Sequence, residues 1–146
     1  MSALVAAVVL LLDRLTKAQI ASTFMPGESR LIVPHLFYLT YVQNTHGAFG
    51  LFGDRTWLLI GIGVVVLGVF CFVFRESAAE SLLVRIALGT IVGGALGNMI
   101  DRFQRHFVVD FIDVRVWPVF NLADSFITIG VALLLLAGTK RRPVSA

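Results

Sequence analysis

Four long apolar stretches divide the chain, with polar segments between them. They run from Ala3 to Phe24, from Trp57 to Phe74, from Leu82 to Ile100 and from Phe120 to Thr139. Each is long enough to cross a hydrocarbon core of about 30 Å as a helix that rises about 1.5 Å per residue. Four such spans leave little material for a second folded unit. The pattern therefore predicts four membrane-spanning helices in a single domain, residues 1–146.

The first stretch differs from a removable secretion signal. No basic residue precedes its apolar run, and no small-residue cleavage pattern comes before its charged residues Asp13, Arg14 and Lys17. A signal peptide normally shows both features. We expect this stretch to be a permanent span.

The polar segment after the first span contains a run that is typical of β-structure. From Leu31 to Val42 the chain is rich in β-branched and aromatic residues, and Pro34 restricts the run to an edge strand or to a strand start. We expect a small sheet that lies on the membrane surface. An irregular aromatic belt at the interface is the alternative.

The composition agrees with membrane insertion. The chain is 58% hydrophobic and 14% charged, against roughly 45–50% and 25% in ordinary globular domains. The net charge of +3 comes from basic residues that are scattered singly, except for a cluster at residues 140–142. This distribution favours a topology signal over a nucleic-acid surface, and we expect no nucleic-acid partner.

Basic residues also orient the spans. Arg75 and Arg85 lie between the second and third spans, and Lys140, Arg141 and Arg142 follow the fourth. Cytoplasmic loops carry an excess of Lys and Arg, so we place these segments and the N-terminus in the cytoplasm. Residues 25–56 and 101–119 then face outward. These outer segments hold as many basic residues as the cytoplasmic segments, so the predicted orientation depends on the cluster in the tail. The predicted fold is an all-α membrane protein, four transmembrane helices with a small extracytoplasmic β-platform.

The third span carries small residues on one face. Gly89, Gly93 and Gly97 follow one another at intervals of four residues, which places them on the same side of a helix. Small residues in such a stripe allow a second helix to approach closely. We interpret this face as a packing surface.

Four of five candidate acids fall toward the outer boundary of the membrane. Asp101 closes the third span, Asp110 and Asp113 lie in the outer loop, and Asp124 begins the fourth span, whereas Asp13 lies inside the first span, nearer mid-depth. A charged side chain near the bilayer centre costs about 2.5–3.5 kcal/mol on insertion scales. Acids in such positions are therefore candidates for function.

Two helices offer polar faces at the same depth. Asn98, Asp101 and Arg102 have i, i+3, i+4 spacing and share a face of the third span, and Asn121 and Asp124 share a face of the fourth. One interpretation is purely structural, with Arg102 neutralising an acid and the asparagines bridging helices. However, one arginine cannot neutralise the three further acids, which are Asp110, Asp113 and Asp124.

A pair of these acids has the chemistry for peptide hydrolysis. Two carboxyl groups held close in a poorly hydrated site tend to share one proton. The ionised group can then take a proton from water while the protonated group polarises a carbonyl. No rival set is present, since Cys71 is the only cysteine and His35, His46 and His106 show no ligand pattern. We expect no metal and no cofactor.

Several motifs resemble those of the bacterial lipoprotein signal peptidases, also called signal peptidase II. They are Asp13-Arg-Leu-Thr-Lys17, Asn44-Thr-His-Gly-Ala-Phe49, Gly93-Gly-Ala-Leu-Gly-Asn98-Met-Ile-Asp101-Arg102, Val108-Val-Asp110-Phe and Phe120-Asn121-Leu-Ala-Asp124-Ser125. They occur in the family's order and cover nearly the whole chain. One departure is His46, which stands where the family usually has glycine.

The resemblance implies a substrate and a site. It implies an aspartic endopeptidase of the bacterial inner membrane that cleaves a prolipoprotein before its diacylglyceryl-modified cysteine, with Asp110 and Asp124 as the catalytic pair. The supporting residues that it implies are Asp13, Lys17, Asn44, Gly97, Asn98, Asp101, Arg102 and Asn121. It also implies contact with membrane lipids, a monomer, and inhibition by cyclic peptide antibiotics of the globomycin type.

Some alternatives stay open at this point. Asp113 is the rival of Asp110, and periodicity alone does not separate the two; the resemblance favours Asp110. A small ion or proton-coupled transporter would also use intramembrane acids, although the chain halves show no repeat and the acids gather at one face. A purely structural subunit is a third hypothesis.

Overall fold

The computed structural model describes residues 1–45 and 56–139. Within these ranges it contains five helices and three strands. The helices are α1 (Ser2–Thr23), α2 (Thr56–Val73), α3 (Arg75–Glu80), α4 (Leu82–Arg105) and α5 (Leu122–Thr139). The strands are β1 (Ser29–Val33), β2 (Phe37–Asn44) and β3 (Val108–Asp113).

The long helices match the four apolar stretches in place and approximate length. By length and apolar composition α2 and α4 qualify as membrane spans, while the apolar part of α5, Leu122–Gly138, is slightly short and α1 carries three charged residues. The structure thus confirms a mostly helical protein. Two of the four predicted spans are helices that are long and apolar enough to cross a membrane. Two further differences are the short α3, which the sequence did not predict, and the extension of α4 beyond Ile100 to Arg105.

Helix α4 lies at the centre of the described bundle and packs against α1, α2 and α5. Its glycines make the close approach possible. A Cβ added to Gly89 would lie 2.8 Å from the carbonyl oxygen of Ser2, and one added to Gly93 would lie 2.6 Å from that of Ala6. The predicted packing face of α4 is therefore the face that contacts α1.

The strands form one antiparallel sheet in the order β1-β2-β3. The single run predicted over 31–42 is in fact a hairpin, because the chain turns at residues 34–36, where His35 adopts a φ of 62°. Strand β3, between α4 and α5, was not predicted. It pairs with β2 so that Asp110 lies opposite Val42 and Val108 lies opposite Asn44.

Two apolar clusters hold the elements together. Val84, Ala87, Leu88, Ile91 and Leu134 join α4 to α5 at the end remote from the sheet. Ile20, Tyr41, Val109 and Phe111 join the end of α1 to strands β2 and β3. Polar residues are buried between these clusters, among them Asp13, Lys17, Asn98, Asp101, Asp110 and Asn121. This buried polar layer contains most of the residues that the motifs singled out.

Candidate active site

The first turn of α5 presents Asp124 through a reciprocal cap. Asn121, just before the helix, accepts a hydrogen bond on Oδ1 from the backbone N–H of Asp124 at 2.9 Å, and Asp124 Oδ2 accepts one from the N–H of Asn121 at 3.2 Å. This pattern satisfies two of the N–H groups that a helix start leaves without partners. It also fixes the Asp124 carboxylate at the positive end of the helix dipole.

Strand β3 presents Asp110 to the same place. Asp110 is 2% exposed, and its carboxylate accepts hydrogen bonds from the amides of Asn121 at 2.6 Å and Asn44 at 2.8 Å. Asn44 belongs to β2 and Asn121 to the start of α5. The side chain is therefore held between the sheet and the bundle.

Asn121 links the two acids directly. It donates its side-chain amide to Asp110 Oδ1 and its backbone N–H to Asp124 Oδ2. Asn98 of α4 completes the group by donating to Asp124 Oδ1 at 2.7 Å. Within the described part of the chain, both carboxylates receive hydrogen bonds from neutral amides, and neither has a cation within 4.0 Å.

This environment changes the acidity of Asp110. Burial raises the pKa of its carboxyl group to about 7, and the nearby charge of Asp124 acts in the same direction. The hydrogen bonds from Asn44 and Asn121 and the charge of Lys17 oppose this rise without cancelling it. At neutral pH the carboxyl group of Asp110 is therefore divided between its protonated and ionised forms, which suits general acid–base chemistry.

Asp13 and Asp101 form a second acidic group with a different environment. Lys17 Nζ lies 2.9 Å from Asp13 and 3.0 Å from Asp101, and Arg14 Nη1 lies 2.6 Å from the other oxygen of Asp101. Asp13, Lys17 and Asp101 are at most 1% exposed. Two cations thus neutralise two acids in one cluster, which is buried except for the partly exposed Arg14. Gly97 makes room for it, because an added Cβ would collide with the Asp13 carboxylate.

Arg102 forms no ion pair with Asp101, although one interpretation of the sequence had this arginine neutralising an acid. The partners of Asp101 are Arg14 and Lys17, because Asp101 points towards α1 while Arg102, one residue further along α4, points elsewhere. The Arg102 guanidinium interacts electrostatically with Asp124, Asp110 and Asp101, in decreasing order. It therefore lies beside Asp110 and Asp124, which we call the amide-held pair, and among the described residues it forms no ion pair with either.

Asp113 lies on the opposite face of β3 from Asp110, since it is three residues away and side chains alternate along a strand. It accepts hydrogen bonds from Thr40 Oγ1 at 2.7 Å and from the N–H of Arg115 at 2.9 Å. Burial raises the pKa of Asp113, but these bonds and the Arg115 charge outweigh it and lower the pKa. Of these two acids in the described structure, Asp110 shares its partner Asn121 with Asp124, whereas Asp113 binds Thr40 and Arg115.

Arg14 is the residue that the sequence analysis missed. It was treated as an interruption of the first span, yet it binds Asp101 across 87 positions and Gln104 Oε1 at 3.1 Å. A signal was available, because a second charge next to Asp13 inside an apolar span needs a partner. His46 lies outside the described residues. Among those described, no three His, Cys, Asp or Glu side chains lie together as a metal site would require.

Comparison with known proteins gives one consistent result. The model of the family described as "Signal peptidase (SPase) II" matches residues 5–140. The chain is 44% identical to the lipoprotein signal peptidase of Moorella thermoacetica, covering 95% of this chain and 96% of that one. It is 47% identical to the lipoprotein signal peptidase of Syntrophomonas wolfei, covering 88% and 85%.

Solved structures agree with the sequence relatives. Two structures of bacterial membrane enzymes determined by the in meso method superpose with TM-scores of 0.88 and 0.86, at 34% and 35% identity. They cover 99% and 97% of this chain and 94% of each of the other chains. With the family match over most of its length, the chain belongs to the signal peptidase II family, as its motifs predicted, and is a membrane protein.

Proposed function

We propose that this protein removes signal peptides from prolipoproteins by hydrolysing the peptide bond before a diacylglyceryl-modified cysteine. The observation that carries the proposal is the convergence of Asp110 and Asp124 on Asn121. A buried carboxyl group and a partly buried one, on separate elements, share Asn121 as a hydrogen-bond partner, and their described hydrogen bonds come from neutral donors. The family membership supports the substrate, because the curated relatives are named lipoprotein signal peptidases.

In the proposed mechanism Asp110 holds the proton of the pair and Asp124 is the base. The raised pKa of Asp110 supports the first role. The position of Asp124 in the first turn of α5 supports the second, since a helix N-terminus stabilises negative charge. Asp124 takes a proton from a water molecule whose oxygen attacks the scissile carbonyl carbon, while Asp110 donates its proton to the carbonyl oxygen.

Collapse of the tetrahedral intermediate completes the reaction. Asp124 gives the water-derived proton to the amide nitrogen, the C–N bond breaks, and Asp110 recovers its proton from the hydroxyl as the new carboxyl group forms. The products are the signal peptide with a free C-terminus and a protein with an N-terminal cysteine. The proposed pair ends the cycle in the state in which it began.

The position of the acids suits a substrate that stays in the lipid. Asp124 opens α5, and Asp110 lies in a strand between α4 and α5, so both are near the end of the bundle that meets the sheet. Acyl chains on a cysteine would hold the scissile bond at such a boundary. A soluble precursor has no comparable anchor.

The finer points of topology extend the same proposal. The protein works as a single domain of four spans, with both termini in the cytoplasm and the sheet on the outer side of the bacterial inner membrane. The tail at residues 140–146, on which the orientation depends, lies outside the described residues.

We also propose that the protein acts as a monomer and is inhibited by cyclic peptides of the globomycin type. The comparisons give the transporter alternative no support.

The decisive experiment compares one precursor in two forms. Purified protein in detergent is incubated with a prolipoprotein before and after diacylglyceryl transfer to its cysteine, and the products are identified by mass spectrometry. We expect cleavage of the modified form before the cysteine and no cleavage of the unmodified form. Equal cleavage of both forms, or cleavage at another bond, would refute the proposed substrate.

A further inference from the structure

Lys17 occupies an unusual place between the two acidic groups. Its ammonium carries three N–H donors, and three acceptors surround it: Asp13 Oδ2 at 2.9 Å, Asp101 Oδ2 at 3.0 Å and Asn98 Oδ1 at 2.8 Å. The side chain is 1% exposed. The ammonium therefore forms ion pairs with two acids and a hydrogen bond with Asn98.

Each of the three residues that bind Lys17 also forms a hydrogen bond close to Asp110 or Asp124. Two of them bind the residue that precedes one of these acids. Asp13 Oδ1 accepts the backbone N–H of Ala123 at 3.0 Å, and Ala123 precedes Asp124. Asp101 Oδ2 accepts the backbone N–H of Val109 at 3.4 Å, and Val109 precedes Asp110. The acids that bind Lys17 thus anchor the two backbone segments that carry Asp110 and Asp124.

Asn98 provides the third connection, and this one reaches a carboxylate. Its Oδ1 faces the Lys17 ammonium and also accepts from the amide of Asn121 at 3.1 Å, while its Nδ2 donates to Asp124. Reversal of the amide would place its NH₂ group against the ammonium, which has no acceptor to offer. Lys17 therefore determines which end of Asn98 meets Asp124.

We propose that Lys17 is a positioning residue that sets the separation and orientation of Asp110 and Asp124 through Asn98, Asp13 and Asp101. This inference rests on the proposed function, since it assumes that the pair performs the chemistry. It goes beyond charge neutralisation, because a cation that only balanced two acids would not need to contact Asn98. A neutralising role and a positioning role predict different results when charge balance is kept.

Two double variants separate these roles. The two proteins are Lys17→Met/Asp13→Asn and Arg14→Met/Asp13→Asn. Each removes one cation and one acid, so the ion-paired cluster stays neutral in both, and both carry the same change at Asp13. Only the first loses the contact with Asn98. We expect its kcat on the diacylglyceryl-modified precursor to be about 100-fold below that of the Arg14 variant, the order of effect that a misplaced reacting group produces, with KM within threefold.

The pH profile gives a readout that a merely structural role would not move. Asp110 faces the charges of Lys17 from α1, Arg102 from α4 and Asp124 from α5, and the Lys17 charge opposes the rise of its pKa. Loss of that charge should raise the pKa further. The alkaline limb of kcat/KM should therefore move to higher pH in the Lys17 double variant and stay in place in the Arg14 one.

Equal kcat values and equal alkaline limbs in the two double variants would overturn the proposal. If the Lys17 double variant does not fold, Lys17→Arg decides: it keeps the charges, but its planar group cannot repeat the same three contacts. We expect a lower kcat at unchanged KM and an unmoved alkaline limb, and wild-type kcat would overturn the proposal. Failure of the wild-type protein to cleave the modified precursor would refute the proposed function instead, which keeps the two failures distinct.

Discussion

Four aspartates in or beside the buried polar layer form two pairs, and the two pairs have different kinds of partner. Asp13 and Asp101 are bound by the cations of Lys17 and Arg14. Asp110 and Asp124 receive hydrogen bonds from asparagine amides and a backbone N–H. The cations of α1 join Asp101 of α4 to Asp13 of α1, whereas burial, without a neighbouring ion pair among the described residues, raises the pKa of Asp110 to about 7. The first pair is thus suited to holding helices together and the second to chemistry.

The largest effect that the comparison predicts is on turnover. Asp110→Asn and Asp124→Asn should each lower kcat on the modified precursor by about 10²- to 10⁴-fold or more, because general acid–base catalysis contributes that much. Asp113→Asn is the matched control, since this acid lies in the same strand on the opposite face and should leave kcat near the wild-type value. Residual activity in either pair variant equal to that control would show that the pair is not the catalytic one.

The second effect concerns stability. Asp101→Asn leaves the buried Lys17 and the partly exposed Arg14 with one acid, and breaking a buried ion pair from one side costs about 3–5 kcal/mol. We expect a large fall in the thermal unfolding midpoint of the detergent-solubilised protein. Glu76→Gln is the control, because Glu76 pairs with Arg75 at 3.6 Å on the surface and its side chain is 85% exposed. Similar midpoints for the two variants would mean that the ion-paired group does not stabilise the bundle.

A smaller effect on stability should follow from adding a methyl group next to the ion-paired cluster of Asp13 and Asp101. Gly97→Ala places a methyl group against the Asp13 carboxylate, and overpacking of this kind costs about 1–3 kcal/mol. Gly68→Ala in α2 serves as the control, since a Cβ there meets nothing within 4 Å. The unfolding midpoint should fall for the first variant and hold or rise for the second. A Gly97→Ala protein as stable as wild type would show that the close approach is not required.

Much of this arrangement followed from spacing within single elements. The i, i+3 relation placed Asn98 with Asp101 and Asn121 with Asp124, and all four point into the buried polar layer or bind its members. The glycine spacing in α4 likewise identified its packing face. These properties depend on residues close together in the sequence, where periodicity is informative.

The properties that were missed depend on long-range pairing. Arg14 and Asp101 are 87 positions apart, and periodicity within α1 or α4 does not reveal that their faces meet. Strand β3 was not predicted because Asp110 and Asp113 interrupt its apolar residues, and its strand conformation depends on pairing with β2. Had it been recognised as a strand, the alternation of side chains would have separated Asp110 from Asp113 without any resemblance.

The most direct test of the contrast between the two pairs is the protonation of Asp110 in the resting protein. Infrared absorption of protonated carboxyl groups can be recorded across a pH series for the wild type and for Asp110→Asn, and the difference isolates this residue. We expect a protonated carboxyl signal that is present at pH 5 and is lost with a midpoint near 7, the pKa to which burial raises this group. A difference signal that has already vanished at pH 5 would show an ordinary ionised aspartate and would contradict the account.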